Sequence, residues 1–230
     1  MTKNILEKSL ILELKMSKIL VVGGSGFIGS YLMKEIDADN IDLKEGKDVR
    51  DGIDKKYDVI IFLACNQEGS VPAYEDNREM YEVLNNYRKQ YDTYLIYISS
   101  AAVYNLNSRY ALSKQLGETY AQRFDKWAIL RLSNVYGHGD GHGAPDRFMR
   151  GENTIHGDGK QIRDLIPVET VVTNILACIN NEITGIFNIS SGRGTTVNQM
   201  FNMFGHGRPK YKDSHPMGVR ESILKPGKVE

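Results

Sequence analysis

The chain has 230 residues, of which 41% are apolar and 25% charged, an ordinary composition for a globular protein. Its 29 basic and 29 acidic residues give a formal net charge of 0, so no excess of positive charge favours nucleic acid or a membrane surface. No apolar stretch is as long as a membrane-spanning helix, and we expect neither nucleic acid nor membrane as a partner.

Short apolar runs alternate with helix-like segments in the first half of the chain. The spacing of the apolar residues predicts strands over residues 18–22, 41–43, 57–64, 93–99 and 127–132, and helices over residues 27–36, 73–91 and 108–124. Strands that alternate with helices indicate crossover connections between parallel strands. The predicted fold class is therefore α/β, with a Rossmann-type doubly wound parallel sheet.

The second half has weaker periodicity. Residues 137–143 form a glycine-rich loop and residues 153–163 are rich in turn formers. A helix is predicted over residues 168–179, a strand over 185–189 and a short helix over 196–204, with little periodicity after them.

Cys65 falls in an apolar strand and Cys178 in an apolar helix. Both are expected to be buried and reduced, which favours a cytoplasmic protein.

A glycine-rich segment, Gly23-Gly24-Ser25-Gly26-Phe27-Ile28-Gly29, lies between the first predicted strand and helix. The first glycine of such a pattern permits a tight turn, the second lets the backbone approach a pyrophosphate, and the third lets helix and strand pack closely. The start of the helix adds N–H donors and a favourable dipole. This context predicts a site for a dinucleotide.

Asp42 ends the second predicted strand, where a carboxylate can accept hydrogen bonds from an adenosine ribose. A carboxylate would repel a 2′-phosphate, so the sequence favours NAD over NADP as cofactor. Lys44 lies close enough in sequence to offset part of that repulsion.

Tyr110 and Lys114 are four residues apart and share one face of a predicted helix. A lysine cation beside a tyrosine favours the phenolate and lowers the phenol pKa. Tyr110 is therefore a candidate acid/base for a hydroxyl proton, and Lys114 is placed to reach a nicotinamide ribose.

These motifs occur in a distinctive order. The glycine segment is followed by Ser99-Ser100-Ala101-Ala102-Val103-Tyr104, then Tyr110 and Lys114, then Arg131-Leu132-Ser133-Asn134-Val135-Tyr136-Gly137 and Gly157-Asp158-Gly159-Lys160-Gln161-Ile162-Arg163-Asp164. From about Lys18 to Arg220 the sequence resembles the extended short-chain dehydrogenase/reductases, the NAD-dependent epimerase/dehydratase family. The resemblance implies hydride chemistry on a nucleotide-sugar substrate.

The resemblance also implies roles for single residues. The catalytic residues would be Ser100, which hydrogen-bonds the reacting sugar oxygen, with Tyr110 and Lys114. The cofactor would be bound by Gly23, Ser25, Gly26, Phe27, Ile28, Gly29, Asp42, Asp48, Val49, Leu63, Ala64, Tyr110 and Lys114. The substrate would be bound by Ser100, Asn134, Arg163 and Arg220, with the two arginines on its diphosphate.

The implied domains are an NAD-binding Rossmann domain over residues 17–135, to which the strand near 185–190 returns, and a reduced substrate-binding lobe over 136–230. Residues 1–15 are interpreted as an N-terminal extension.

In the family a longer loop separates the serine from the tyrosine, and a C-terminal helical region follows. Here nine residues separate Ser100 from Tyr110. We expect a more open substrate pocket.

Several reactions fit this family. Ala101 and Ala102 stand where its dehydratases carry Asp-Glu, which disfavours dehydration. The sequence around Ser100 is most similar to sugar 4-epimerases, so an NAD-dependent nucleotide-sugar epimerase is favoured. The alternatives are an NAD(P)H-dependent keto-sugar reductase and a catalytically weak dinucleotide-binding regulatory protein.

Two further expectations concern partners and metals. Members of the family often dimerise through the Tyr-x-x-x-Lys helix and the helix before it, so a homodimer is expected through residues 73–91 and 108–124. His138 and His142 are four residues apart, but the glycines around them prevent one helix from holding both. No metal site is predicted there.

Overall fold

In the computed structural model, the described residues are 17–138, 141, 143–213 and 220–229. The predicted N-terminal extension, residues 1–15, and His142 lie outside the described residues. Within the described ranges no helix is long and apolar enough to cross a membrane.

The strands of the described residues are β1 (Ile19–Val22), β2 (Asp39–Ile41), β3 (Val59–Phe62), β4 (Tyr94–Ser100), β5 (Lys126–Leu132), β6 (Asn134–Tyr136), β7 (Thr154–His156), β8 (Ile162–Pro167), β9 (Gly185–Ile189), β10 (Gly194–Thr196), β11 (Lys210–Lys212), β12 (Glu221–Ser222) and β13 (Gly227–Lys228). The helices are α1 (Phe27–Leu32), α2 (Val71–Tyr87), α3 (Arg109–Ala121), α4 (Ala144–Met149), α5 (Val168–Asn181) and α6 (Val197–Phe204).

A seven-stranded sheet with strand order β13-β9-β5-β4-β3-β1-β2 forms the centre of the fold. Its strands are parallel except β13, which pairs antiparallel with β9. The predicted Rossmann-type α/β class is confirmed. Strand β1 pairs with β2 on one side and β3 on the other, so the strand order reverses beside β1. In sheets of this kind ligands bind at that reversal, outside the carboxyl ends of the strands.

The sheet is buried on both faces, which explains why its strands are continuous apolar runs. On one face β1 and β3 pack with α5, whose Val171, Ile175 and Cys178 are buried. On the other face alternate residues of the same strands pack with α2 and α3 through Tyr81, Leu84 and other buried side chains. Helices α2 and α3 therefore lie on the same side of the sheet and contact each other.

Two smaller sheets complete the fold. Strand β8 pairs with β6, β10 and β12, and β7 pairs with β11. Asp164 in β8 is fully buried, and its carboxylate accepts hydrogen bonds from Ser191 N (2.8 Å), Ser191 Oγ (2.7 Å) and Gly192 N (3.0 Å). These bonds connect β8 to the segment that follows β9 in the central sheet.

Some predicted elements differ from the observed ones. Helix α1 ends at Leu32 rather than residue 36, and β2 ends before Asp42, which begins a 3-10 turn instead. The segment over residues 153–163, interpreted as turns, contains β7 and the start of β8, and three short strands follow residue 205. Strands of two or three residues are too short to show an alternating pattern.

Cys65 was expected to be buried in a strand. The structure instead ends β3 at Phe62, and Cys65 is half-buried in the loop that follows. The prediction was wrong because a run of apolar residues continues past the last paired residue of the strand. Cys178 is buried in α5, as predicted.

Candidate active site

A cleft of about 410 Å³ lies at the carboxyl ends of β1 and β3, where the strand order reverses. Most of the residues assigned to the cofactor line it: Gly23, Gly26, Phe27, Ile28, Gly29, Asp42, Asp48, Val49, Leu63 and Ala64. Ser25 does not line the cleft, and neither do Tyr110 and Lys114. The position and lining of this cleft fit a dinucleotide.

The three glycines at positions 23, 26 and 29 differ in what a side chain would meet. Gly23 has a φ of +92°, and a Cβ there would lie 2.8 Å from the Ala64 nitrogen. A Cβ on Gly29 would lie 2.3 Å from the Gly23 carbonyl oxygen. On Gly26 the nearest contact would be 3.2 Å. The fold therefore requires Gly23 and Gly29, whereas a side chain on Gly26, which lines the cleft, would disturb the fold less and would narrow the cleft.

Two hydrogen bonds hold the Asp42 carboxylate at the wall of the cleft. One carboxylate oxygen accepts from Ser25 N (2.9 Å) and the other from Lys44 N (2.9 Å). The carboxylate is thus fixed between the glycine loop and the 3-10 turn Leu43–Glu45, which it caps. A fixed acceptor at this point suits the hydroxyls of an adenosine ribose.

Asp48, which also lines the cleft, is paired with Arg50. Arg50 Nη2 lies 2.6 Å from Asp48 Oδ2, and its Nη1 lies 2.8 Å from Asp76. The hydrogen bonds from Arg50 lower the pKa of Asp48. Arg50 and Asp76 also line the cleft but were missed in the sequence. In the sequence, only the position of Arg50 two residues after Asp48 indicated that it could lie at the cleft.

Helix α3 carries the predicted acid/base pair. It begins after Ser108, whose hydroxyl accepts from Ala111 N (3.1 Å), so Tyr110 lies in the first turn and is half-buried. Lys114 is buried, and its ammonium donates to Ile98 O (2.9 Å) while lying 5.3 Å from the centre of the Tyr97 ring. The helix thus fixes Lys114 against the carboxyl end of β4.

The environment of Lys114 favours its charged form. Burial opposes the charge, but Cys65 and then Tyr110 and Tyr81, which become anions on ionisation, outweigh it and raise the pKa of Lys114. Cys65 also lines the cleft, so the ammonium lies next to the cleft wall. The ammonium form of Lys114 is therefore favoured, and it interacts electrostatically with Tyr110.

Ser100 ends β4 and is half-buried. It lies opposite Leu132 of β5 in register, and Asn134 follows two residues later. Its hydroxyl accepts from Ala102 N (3.2 Å), which begins a 3-10 turn, Ala101–Tyr104. A short connection then leads to α3.

A second pocket, of about 320 Å³, lies among β6, β7, β8, α4 and α6. Asn134 and Arg163 line it. In the described part of the chain Arg163 has no carboxylate partner; its Nη1 donates to Ile162 O (2.8 Å), and burial lowers its pKa. An arginine that is half-buried and lacks an anion suits a phosphate ligand.

Arg220 differs from Arg163. Its side chain is 77% exposed, lies 3.8 Å from Asp158, and lines neither pocket. The structure therefore brings Asn134 and Arg163 together and leaves Arg220 outside. No recognisable motif surrounds Arg220 in the sequence, so its assignment to the substrate rested on its approximate position in the chain alone.

A buried ion pair beside the candidate catalytic residues was missed in the sequence. Glu118 on α3 accepts from Arg131 Nε (2.9 Å), Arg131 Nη2 (2.7 Å) and Ser99 Oγ (2.6 Å). Arg131 Nη1 donates to Tyr104 Oη (3.0 Å). The pair joins α3 to β5, and the bond from Ser99 Oγ joins Glu118 to the end of β4, which carries Ser100. Glu118 lies one turn after Lys114, and this spacing was the only sequence signal.

Replacing Gly26 with alanine should weaken dinucleotide binding without unfolding the chain. The new Cβ meets the Gly23 carbonyl at 3.2 Å, a tight but tolerable contact, and it is added at the wall of the cleft, where we expect the pyrophosphate to approach. We expect the Kd for NAD to rise by about tenfold or more, equivalent to about 1.4 kcal/mol. Calorimetric titration measures the Kd, and thermal melting checks the fold.

Gly69 is a matched control for this substitution, because a Cβ there meets nothing within 4 Å. Gly69→Ala should leave the Kd for NAD unchanged. Equal affinities for Gly26→Ala and wild type would contradict the assignment of the glycine loop.

Comparison with known proteins supports the resemblance. The model of the NAD dependent epimerase/dehydratase family matches residues 19–190. A putative UDP-glucose 4-epimerase of Methanocaldococcus jannaschii is 31% identical over 251 residues, covering 82% of this chain and 81% of that protein. Because this alignment is longer than the 230 residues of the chain, it contains insertions in the relative.

Two further proteins agree. An ADP-L-glycero-D-manno-heptose-6-epimerase of Cupriavidus pinatubonensis is 27% identical over 275 residues, covering 89% of this chain and 82% of that protein. The crystal structure of a UDP-glucose 4-epimerase of Thermotoga maritima with UDP-glucose superposes with a TM-score of 0.73 and 26% identity, covering 91% of this chain and 90% of that chain. With its cleft, its glycine loop and these matches, the chain is an enzyme that belongs to the NAD-dependent epimerase/dehydratase family.

Proposed function

We propose that this protein is an NAD-dependent nucleotide-sugar epimerase in which Tyr110 is the acid/base. The supporting observation is the order of sites along the sheet edge. The cofactor cleft lies at the ends of β1 and β3, Ser100 ends the adjacent β4, and the pocket of Asn134 and Arg163 begins after β5. A sugar held at Ser100 would have the dinucleotide on one side and its own nucleotide on the other.

The residues have distinct roles in this proposal. NAD, when bound, supplies reversible hydride transfer at a sugar carbon. Ser100 donates a hydrogen bond to the reacting sugar oxygen, and Tyr110 takes the hydroxyl proton from that oxygen and returns it. Lys114 stabilises the phenolate of Tyr110 and orients the nicotinamide ribose. Arg163 binds the diphosphate, and Asn134 contacts the substrate nearby.

The test is a screen of nucleotide sugars with the full chain and NAD, with separation of sugar products. An epimerase gives a sugar of changed configuration with no net accumulation of NADH. A reductase consumes NAD(P)H in proportion to product, which would replace the proposal by the first alternative. Binding of NAD without turnover of any nucleotide sugar would favour the regulatory alternative.

We also propose that the protein is a homodimer through α2 and α3. The two helices contact each other on one side of the sheet. Leu112 on α3 is 43% exposed, and Leu116 follows it by one turn on the same face. An exposed apolar side chain at this position is suited to pack against a second copy.

Leu112→Glu should convert the dimer into a monomer, because a charge in an apolar interface must be desolvated without a partner. Size-exclusion chromatography with light scattering measures the mass. Met203→Glu is the control, since Met203 on α6 is 63% exposed but lies on another helix. A wild type that is monomeric at all tested concentrations would refute the dimer.

A further inference from the structure

Two carboxylates, rather than one, hold Ser25 at the ribose end of the cofactor cleft. Asp42 accepts from the backbone nitrogen of Ser25 (2.9 Å). Glu45, three residues further on, accepts from the Ser25 hydroxyl (2.8 Å). Both carboxylates therefore lie beside the same residue of the glycine loop. Asp42 is the residue assigned to the ribose, whereas Glu45 has so far been given no role.

Asn40 fixes the position of Glu45. Its amide nitrogen donates to Glu45 Oε1 (2.6 Å) and to Ser25 Oγ (3.1 Å), while its oxygen accepts from Gly24 N (2.9 Å). Glu45 is thus held against the glycine loop by two donors, although its side chain is exposed. The hydrogen bonds from Ser25 and Asn40 lower the pKa of Glu45, so it is anionic at neutral pH.

Two lysines share this end of the cleft. Lys44 Nζ donates to Ser25 O (3.1 Å), and Lys47 Nζ donates to Asn40 O (3.2 Å). Removal of the Glu45 charge would make the electrostatic potential beside these two ammonium groups more positive, which favours a phosphate.

We propose that Glu45 is a specificity-determining residue that, together with Asp42, excludes a 2′-phosphorylated dinucleotide from the cleft. The carboxylates favour the 2′-hydroxyl of NAD, because the hydroxyl can donate to them and a phosphate cannot. The inference rests on the cofactor site of the proposed function and not on its sugar chemistry. It adds to Asp42 a second residue that selects between the two cofactors.

The experiment is calorimetric titration of the full chain with NAD⁺ and with NADP⁺. Three proteins are compared: wild type, Glu45→Gln and Asp51→Asn. Glutamine keeps an oxygen that can accept from Ser25 and Asn40, so only the charge is removed. Asp51 is an exposed carboxylate on the next 3-10 turn, Val49–Asp51, and like Glu45 it does not line the cleft. Within the described residues it accepts no hydrogen bond from Ser25, whereas Glu45 does, so its variant controls for net charge.

We expect Glu45→Gln to raise the affinity for NADP⁺ by about five- to tenfold and to change that for NAD⁺ by less than about twofold. The gain should shrink at high salt, because exposed charges are screened. Asp51→Asn should change neither Kd. The double variant Asp42→Asn/Glu45→Gln should prefer NADP⁺.

Two results would overturn the inference. One is that Glu45→Gln leaves both affinities at their wild-type values, and the other is an equal loss of both affinities, which would make Glu45 a support of the loop. The titrations measure cofactor binding and the screen measures sugar conversion, so failure of the Glu45 inference and failure of the epimerase proposal can be told apart. A chain that binds NAD⁺ and shows the Glu45 effect but converts no nucleotide sugar would refute the epimerase alone.

Discussion

Tyr110→Phe is expected to lower the rate of sugar conversion by a factor of about 10²–10⁴ while leaving the fold and the affinity for NAD nearly unchanged. The substitution removes only the phenolic oxygen, which is the proposed proton acceptor. The ring remains in the first turn of α3, and Lys114 keeps its bond to Ile98 O. The rate is measured with a nucleotide sugar identified by the screen, and the Kd for NAD by calorimetry.

Tyr91→Phe is the matched control. Tyr91 is also half-buried and lies after α2, with its ring 5.0 Å from that of Tyr87. Loss of this hydroxyl should leave the rate at the wild-type value. A Tyr110→Phe enzyme that turns over nucleotide sugars at the full rate would contradict the proposed acid/base.

The cofactor cleft could be predicted from the sequence because its determinants are local. The glycine segment lies directly between a strand and a helix, and the backbone requires glycine at Gly23 and Gly29. Asp42 was correctly placed at the cleft even though β2 ends one residue earlier. A shift of this size does not move a residue away from the carboxyl edge of a sheet.

Contacts between distant segments could not be predicted in the same way. Arg50 forms an ion pair with Asp76, which is 26 residues away in the sequence. Glu118 on α3 forms an ion pair with Arg131 on β5. In each pair the spacing of the first residue from Asp48 or Lys114 is a weak local signal, because solvated surface charges often show the same spacing. The short strands β7 and β11 depend on each other for pairing, and neither has a pattern of its own.

Glu118→Gln is expected to destabilise the protein by about 3–5 kcal/mol, because it leaves the charge of Arg131 buried without a counter-ion. The side chains of Glu118 and Arg131 are only 4% and 12% exposed, so water cannot replace the lost partner. For a chain of this size the melting temperature should fall by roughly 6–20 °C. Thermal unfolding followed by circular dichroism measures the change.

Glu75→Gln tests the same chemistry at the surface. Glu75 pairs with Arg78 at 2.6 Å, but both side chains are nearly half exposed, so the loss should be below about 1 kcal/mol. Glu118→Leu/Arg131→Met should recover part of the stability, since neither charge is then left alone. A Glu118→Gln protein that melts with the wild type would show that the pair contributes nothing. The bond from Ser99 Oγ to Glu118 also fixes the end of β4, where Ser100 lies. If this bond positions Ser100, the double variant should regain stability but not catalytic rate, because Ser99 Oγ has lost its acceptor.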